Sequence, residues 1–161
     1  MIPLRDENPI PVTPYVTRTI IVINIIVFFI TWLSDDLRII FHIPLPSFKE
    51  FILNYGMAPI YVLNGERLYT IFTSMFLHGG LIHLIGNMLF LHIFGDNVEY
   101  AFGCKRYLAF YLLCGIAASA THILSVSSYR EMLVPAVGAS GAISGVLGAY
   151  LLMYPRASII T

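Results

Sequence analysis

A serine between small residues, Gly138-Ala139-Ser140-Gly141, opens the last apolar stretch of this 161-residue chain. From Ser140 to Tyr154 a helix would cover about 22 Å at about 1.5 Å per residue. The hydrocarbon core of a bilayer is about 30 Å thick. With Arg156 at one membrane surface, Ser140 falls short of the other, and Pro135-Ala136-Val137-Gly138-Ala139 must dip inward to reach it. Non-helical backbone at that depth is tolerated only where protein buries it or where it lines a wet cavity. A hydroxyl there is a candidate nucleophile, and the free N–H groups of the helix start are candidate donors to an oxyanion. The alternative is that Ser140 is a helix cap.

A second polar set lies upstream, in His78-Gly-Gly-Leu-Ile-His83-Leu-Ile-Gly-Asn87. His83 and Asn87 are four apart and share a helix face. Polar side chains inside a membrane usually face the protein interior or a cavity. Both are hydrogen-bond donors that could stabilise a tetrahedral intermediate beside Ser140, or they could join helices by interhelical hydrogen bonds. A metal site is disfavoured, because His78 and His83 are five apart with no thiolate or carboxylate nearby.

The elements that must position these groups are membrane spans. Hydrophobic residues make up 58% of the chain and charged residues 11%, against roughly 25% charged in soluble domains, so lipid is the expected solvent. The net charge of zero gives no reason to expect nucleic acid. Cys104 and Cys114 read as small core residues. The fold class is an all-α membrane protein: a proline-rich arm over residues 1–15, then a membrane domain over 16–161. Spans are expected at about Val16–Leu33, from Leu81 past Phe94, at Tyr107–Val126 and at Ser140–Tyr154. The first stretch ends in Asp35-Asp36 rather than a cleavage pattern, so it reads as an anchor and not a signal peptide. The long connection 35–80 is too aromatic for a disordered linker, and Phe48–Leu53 suggests a short helix in the interface plane. The basic residues Arg5, Arg18, Lys105, Arg106 and Arg156 group on one side and Arg130 on the other, so the positive-inside rule makes the N-terminus cytoplasmic.

Three motifs in this order resemble the rhomboid family of intramembrane serine proteases. They are His78, His83 and Asn87 at H-x4-H-x3-N, then Gly95, Glu99 and Gly103 at G-x3-E-x3-G, then the Gly138–Gly141 quartet. The opening Pro3–Pro9 and the run Phe72–His78 are similar to microbial members, which points to a multi-pass protein of a microbial cytoplasmic membrane. The resemblance implies a six-helix bundle, of which four helices stand here. It implies Ser140 as nucleophile, with His83 and Asn87 as oxyanion stabilisers alongside the Ser140 N–H. Supporting positions are His78, which anchors the first external loop, and Gly138 and Gly141 of the quartet. Glu99 and Gly103 are implied to make a structural contact near the cytoplasmic end of the second span. The implied partners are transmembrane protein substrates and the lipid bilayer, with no metal or organic cofactor.

Two departures qualify the match. Tyr69-Thr70 stands where some relatives have Trp-Arg. The family's base histidine lies on a sixth span after the serine, and no histidine follows Ser140 here. His42, His92 and His122 match no catalytic position of the family, and His92 and His122 read as packing or interface residues. The expectation is a chain holding half of the catalytic site, inactive alone, whose C-terminal spans are missing. The alternative is a non-proteolytic relative that binds transmembrane helices. Gly141, Gly145 and Gly148 form a bare helix face expected to receive the absent sixth span.

Overall fold

The computed structural model describes residues 5–8 and 10–160, whose regular structure is helical apart from two short strands. After a two-residue strand β1 (Arg5–Asp6) come α1 (Tyr15–Trp32), α2 (Ser34–Phe41), α3 (Phe48–Tyr55), α4 (Pro59–Leu63) and α5 (Thr70–Thr73). A 3-10 turn, Ser74–Phe76, leads to α6 (Leu81–Phe102), α7 (Cys104–Ser125), α8 (Tyr129–Met132), α9 (Ser140–Met153) and β2 (Ile159–Ile160). Among the described residues three helices, α1, α6 and α7, are long and apolar enough to cross a membrane, at 18, 22 and 22 residues; α9 is apolar but has only 14. All four fall within a few residues of the expected spans, because each is bounded by prolines, glycines or charges.

Helix α6 is central. Half of its apolar window is buried, against 11% for α7, whose Leu113 and Leu124 lie open on the outer surface. The core gathers on Leu91, Phe94 and Val98 of α6, Phe28 of α1, Tyr107 and Tyr111 of α7 and Val146 and Tyr150 of α9. The second motif is the joint of this packing. A Cβ on Gly95 would lie 2.7 Å from the Tyr107 hydroxyl and 3.0 Å from Thr17 Cγ2, so α1 and α7 close on bare backbone. Glu99 is buried, and its carboxylate accepts from the Val16 and Thr17 N–H groups at 2.9 and 2.7 Å, capping the start of α1. Gly103, at φ +75°, turns the chain from α6 into α7.

The connection 35–80 is folded, as its aromatic content suggests. Ser47 and Glu50 form a capping box at the start of α3, so the expected interfacial helix begins at Phe48. A second capping box, Ser128 with Glu131, makes a short α8 within the loop 127–139, which the sequence reading leaves without a helix.

Two expectations need correction. The face of Gly141 and Gly145 is not left for a helix outside the chain. Cβ atoms there would lie 2.4 Å from Ala118 Cβ and 2.3 Å from Cys114 Sγ, so α7 already fills it, and only Gly148 faces open space. Cys104 is not a core residue. It starts α7, is exposed, and its thiol donates to Glu99 Oε1 at 3.3 Å, while half-buried Cys114 does pack, against Gly145. The N-terminal arm is held by β1, which pairs antiparallel with β2, with Asp6 opposite Ile159. Within the arm, Met1–Leu4 and Pro9 lie outside the described residues.

Candidate active site

Ser140 is the first residue of α9 and not its cap. The cap position belongs to Ala139, with helical backbone (φ −72°, ψ −8°) and no side-chain cap bond. The Ile143 N–H donates to the Ala139 carbonyl at 3.0 Å. The N–H groups of Ser140, Gly141 and Ala142 precede that bond and have no acceptor within the helix. Ser140 itself is exposed. The capping alternative therefore falls, and the helix start keeps its donors free.

The loop before Ser140 is pinned by the folded connection. Met57 and Ala136 exchange two backbone hydrogen bonds, both 2.9 Å, and the Gly138 N–H donates to the Ser74 carbonyl at 2.8 Å. Gly56 lets the chain pass: a Cβ there would sit 2.8 Å from Pro135 Cβ. Three backbone groups of this non-helical segment, the Ala136 N–H and carbonyl and the Gly138 N–H, are thus paired with protein backbone.

This pinning brings the two polar sets together. At Gly138 (φ +121°) a Cβ would lie 2.7 Å from both Cε1 and Nε2 of His83 and 3.5 Å from Asn87 Nδ2. His83 and Asn87 therefore flank the quartet from α6, two residues before the serine. His78 is fully buried behind them. Its Nε2 lies 2.9 Å from Asn87 Nδ2, and its ring meets that of His83 edge-on with centroids 5.1 Å apart. Burial, and after it the neighbouring His83, pushes His78 down to about 4, so the imidazole is neutral at neutral pH. With the Asn87 amide nitrogen as donor, Nε2 accepts and the ring proton sits on Nδ1, which has no hydrogen-bond partner among the described residues. Asn87 keeps its second amide N–H.

A cavity of about 210 Å³ adjoins the serine, lined by Ser140, Gly141, Met75, Gly115, Ser119 and His122. His122 reads from the sequence as a packing or interface residue, and α7 carries it to the wall of the Ser140 cavity. No local signal announces this, because the α7–α9 contact decides it. Among the described residues no hydrogen bond joins Ser140 Oγ to a histidine, and no group of three or more His, Cys, Asp or Glu is placed to hold a metal.

These features define an all-α membrane protein with an uncapped serine at the head of a short apolar helix, faced by two polar side chains of the central span. The chain belongs to the rhomboid family: the family described as "Rhomboid domain" matches residues 65–161. It is 31% identical over 140 residues to the "Putative rhomboid protease YdcA" of Bacillus subtilis (strain 168), covering 84% of this chain and 66% of that protein. It is 40% identical over 90 residues to "RHOMBOID-like protein 6, mitochondrial" of Arabidopsis thaliana, covering 56% of this chain and 28% of that protein. To "Rhomboid protease GluP" of Bacillus subtilis (strain 168) it is 34% identical over 102 residues, or 63% of this chain and 19% of that protein. Against the Arabidopsis relative the chain thus spans little more than a quarter of the length. No solved structure matches.

Proposed function

We propose that this chain carries the nucleophile and oxyanion half of a rhomboid-type intramembrane serine endopeptidase that cuts transmembrane segments of other membrane proteins. The observation that supports it most is the fit of Gly138 against His83 and Asn87, which sets two side-chain donors beside an uncapped serine. In this reading Ser140 Oγ attacks the scissile carbonyl carbon. The developing oxyanion accepts from the Ser140 N–H, the remaining Asn87 N–H and the His83 ring. The hydroxyl proton passes to a histidine base and then to the leaving amine, and water releases the acyl group. In the family pattern that base stands on a sixth span, so the reading pairs Ser140 with a histidine in polypeptide beyond residue 161. The end carrying Arg18, Lys105, Arg106 and Arg156 is cytoplasmic by the positive-inside rule, and the Ser140 end faces outside.

The test is gel-based cleavage of a tagged transmembrane substrate by the full-length protein in liposomes, with labelling by a serine-directed phosphonate. Cleavage and labelling that vanish in Ser140→Ala are the expected result. Equal cleavage with alanine at 140 overturns the assignment. Substrate capture without cleavage or labelling favours a non-proteolytic helix-binding relative. The 161-residue polypeptide alone is expected not to cleave, since a serine hydroxyl without an adjacent base is a weak nucleophile.

A further inference from the structure

The N-terminal arm ends on the two helices that carry the candidate site. Asp6 Oδ2 accepts from Asn97 Nδ2 of α6 at 2.7 Å and from the Tyr150 hydroxyl of α9 at 3.1 Å. Asn97 and Tyr150 are both buried to 1% exposure and Asp6 is half-buried, so these bonds form at the edge of the packed bundle. Asn8 Nδ2 donates to the same Tyr150 hydroxyl at 3.2 Å, and the hydroxyl of Tyr154, just past the end of α9, donates to the Asn97 carbonyl at 3.4 Å. The β1–β2 pairing and the Glu7 N–H bond to the Ser158 carbonyl, 3.2 Å, hold the arm against the chain that leaves α9.

The spacing gives this contact its meaning. Asn97 stands ten residues after Asn87 on α6, and Tyr150 stands ten residues after Ser140 on α9. Both helices run away from the site end, because α7 returns the chain between them. Each bond to Asp6 therefore lies about 15 Å along its helix from a site residue, at 1.5 Å per residue. One carboxylate oxygen ties equivalent points of two parallel helices. Gly138 fixes them at the near end against His83 and Asn87, and Asp6 fixes them at the far end.

We infer that Asp6 is a positioning residue that sets the axial register of α9 against α6, and through it the placement of Ser140 relative to Asn87 and His83. Its catalytic consequence rests on the proposed protease reading; the register itself does not. Both donors to Asp6 are neutral, so an acceptor oxygen is needed and a charge is not. Asp6→Asn keeps that oxygen and Asp6→Ala removes it.

Spin labels on cysteines placed at Ile82 of α6 and Leu152 of α9, which are 88% and 84% exposed, read the register directly. Cys104 and Cys114 are replaced by alanine, and the full-length protein is used. In Asp6→Ala the distance distribution is expected to broaden or shift by about 1.5 Å per residue of slip, and in Asp6→Asn to match wild type. For substrate cleavage, Asp6→Ala is expected to lower kcat by about 10- to 100-fold, the scale of an ångström-sized misplacement, with KM unchanged and with kcat restored to within about threefold in Asp6→Asn. An unchanged distance distribution in Asp6→Ala overturns the inference. So does a changed distribution with full kcat. If the unaltered full-length protein cleaves nothing, the protease reading fails, and the spin-label distances still decide the register.

Discussion

Gly138 and His83 lie so close that any side chain at 138 would have to displace the imidazole. A Cβ would lie 2.7 Å from two atoms of the imidazole, and the backbone is held at φ +121°. Gly138→Ala meets both obstacles. Backbone strain of this kind costs about 1–3 kcal/mol, and relief requires the His83 ring to move off the Ser140 loop. The expected outcome is a lower unfolding temperature in detergent together with loss of phosphonate labelling at Ser140. A variant with unchanged stability and labelling would show that the loop and the imidazole are not in register.

The same quartet shows what the sequence could and could not tell. Ser140 at a helix start, His83 and Asn87 on one face and the limits of the four apolar helices all follow from local spacing and from glycine and proline punctuation. The glycine face of α9 was legible as a close-contact surface, but its partner was not. A spacing of i, i+4 and i+7 says that a backbone comes near without saying whose, and α7 supplies Ala118 and Cys114. His122 reaches the Ser140 cavity through that same packing. The Asp6 contacts join residues 91 and 144 positions apart, beyond the reach of any periodicity.

The α7–α9 contact yields a paired prediction. A Cβ at Gly145 would sit 2.3 Å from Cys114 Sγ and 2.6 Å from its Cβ, whereas one at Gly148 meets nothing within 4 Å. Overpacking in a filled interface costs about 1–3 kcal/mol, while alanine for a helical glycine with open space before it gains up to about 1 kcal/mol. Gly145→Ala should therefore lower the unfolding temperature in detergent and Gly148→Ala should leave it equal or higher. Equal losses at both positions would place an equally close neighbour beside Gly148.

His78 makes stability depend on pH. Burial lowers its folded value to about 4 from an ordinary value of 6.5. Above about pH 6.5 the ring is neutral in both states and the contribution is complete. As pH falls from there toward about 4, the unfolded chain takes up a proton that the folded chain refuses, so stability falls. His78→Gln removes the titrating group and still offers Asn87 an acceptor. The drop in unfolding temperature between about pH 7.5 and pH 5 should be smaller in His78→Gln than in the parent protein. Parallel profiles would show that His78 does not titrate in this window.

The sharpest test of the site concerns Asn87. If its free amide N–H stabilises the oxyanion, the interaction exists only in the transition state. Its loss then lowers kcat and leaves KM alone. Removing one such donor costs about 10²–10³ in kcat. Asn87→Ala also strips His78 Nε2 of its partner at 2.9 Å, which mixes a stability effect into the measurement. Asn87→Asp separates the two. It nearly matches the amide in shape and can accept from the neutral His78 ring in its other tautomer, yet it offers no donor and places negative charge beside the oxyanion. Its kcat should fall at least as far as that of Asn87→Ala, with less loss of thermal stability. His78 acts through Asn87 in this arrangement, so the kcat of His78→Ala with Asn87→Ala should be no lower than that of Asn87→Ala alone, a non-additivity a double-mutant cycle resolves. Cleavage kinetics on a tagged transmembrane substrate give all these values. A raised KM with intact kcat in Asn87→Asp would make Asn87 a substrate-binding residue and leave the oxyanion to His83 and the Ser140 N–H.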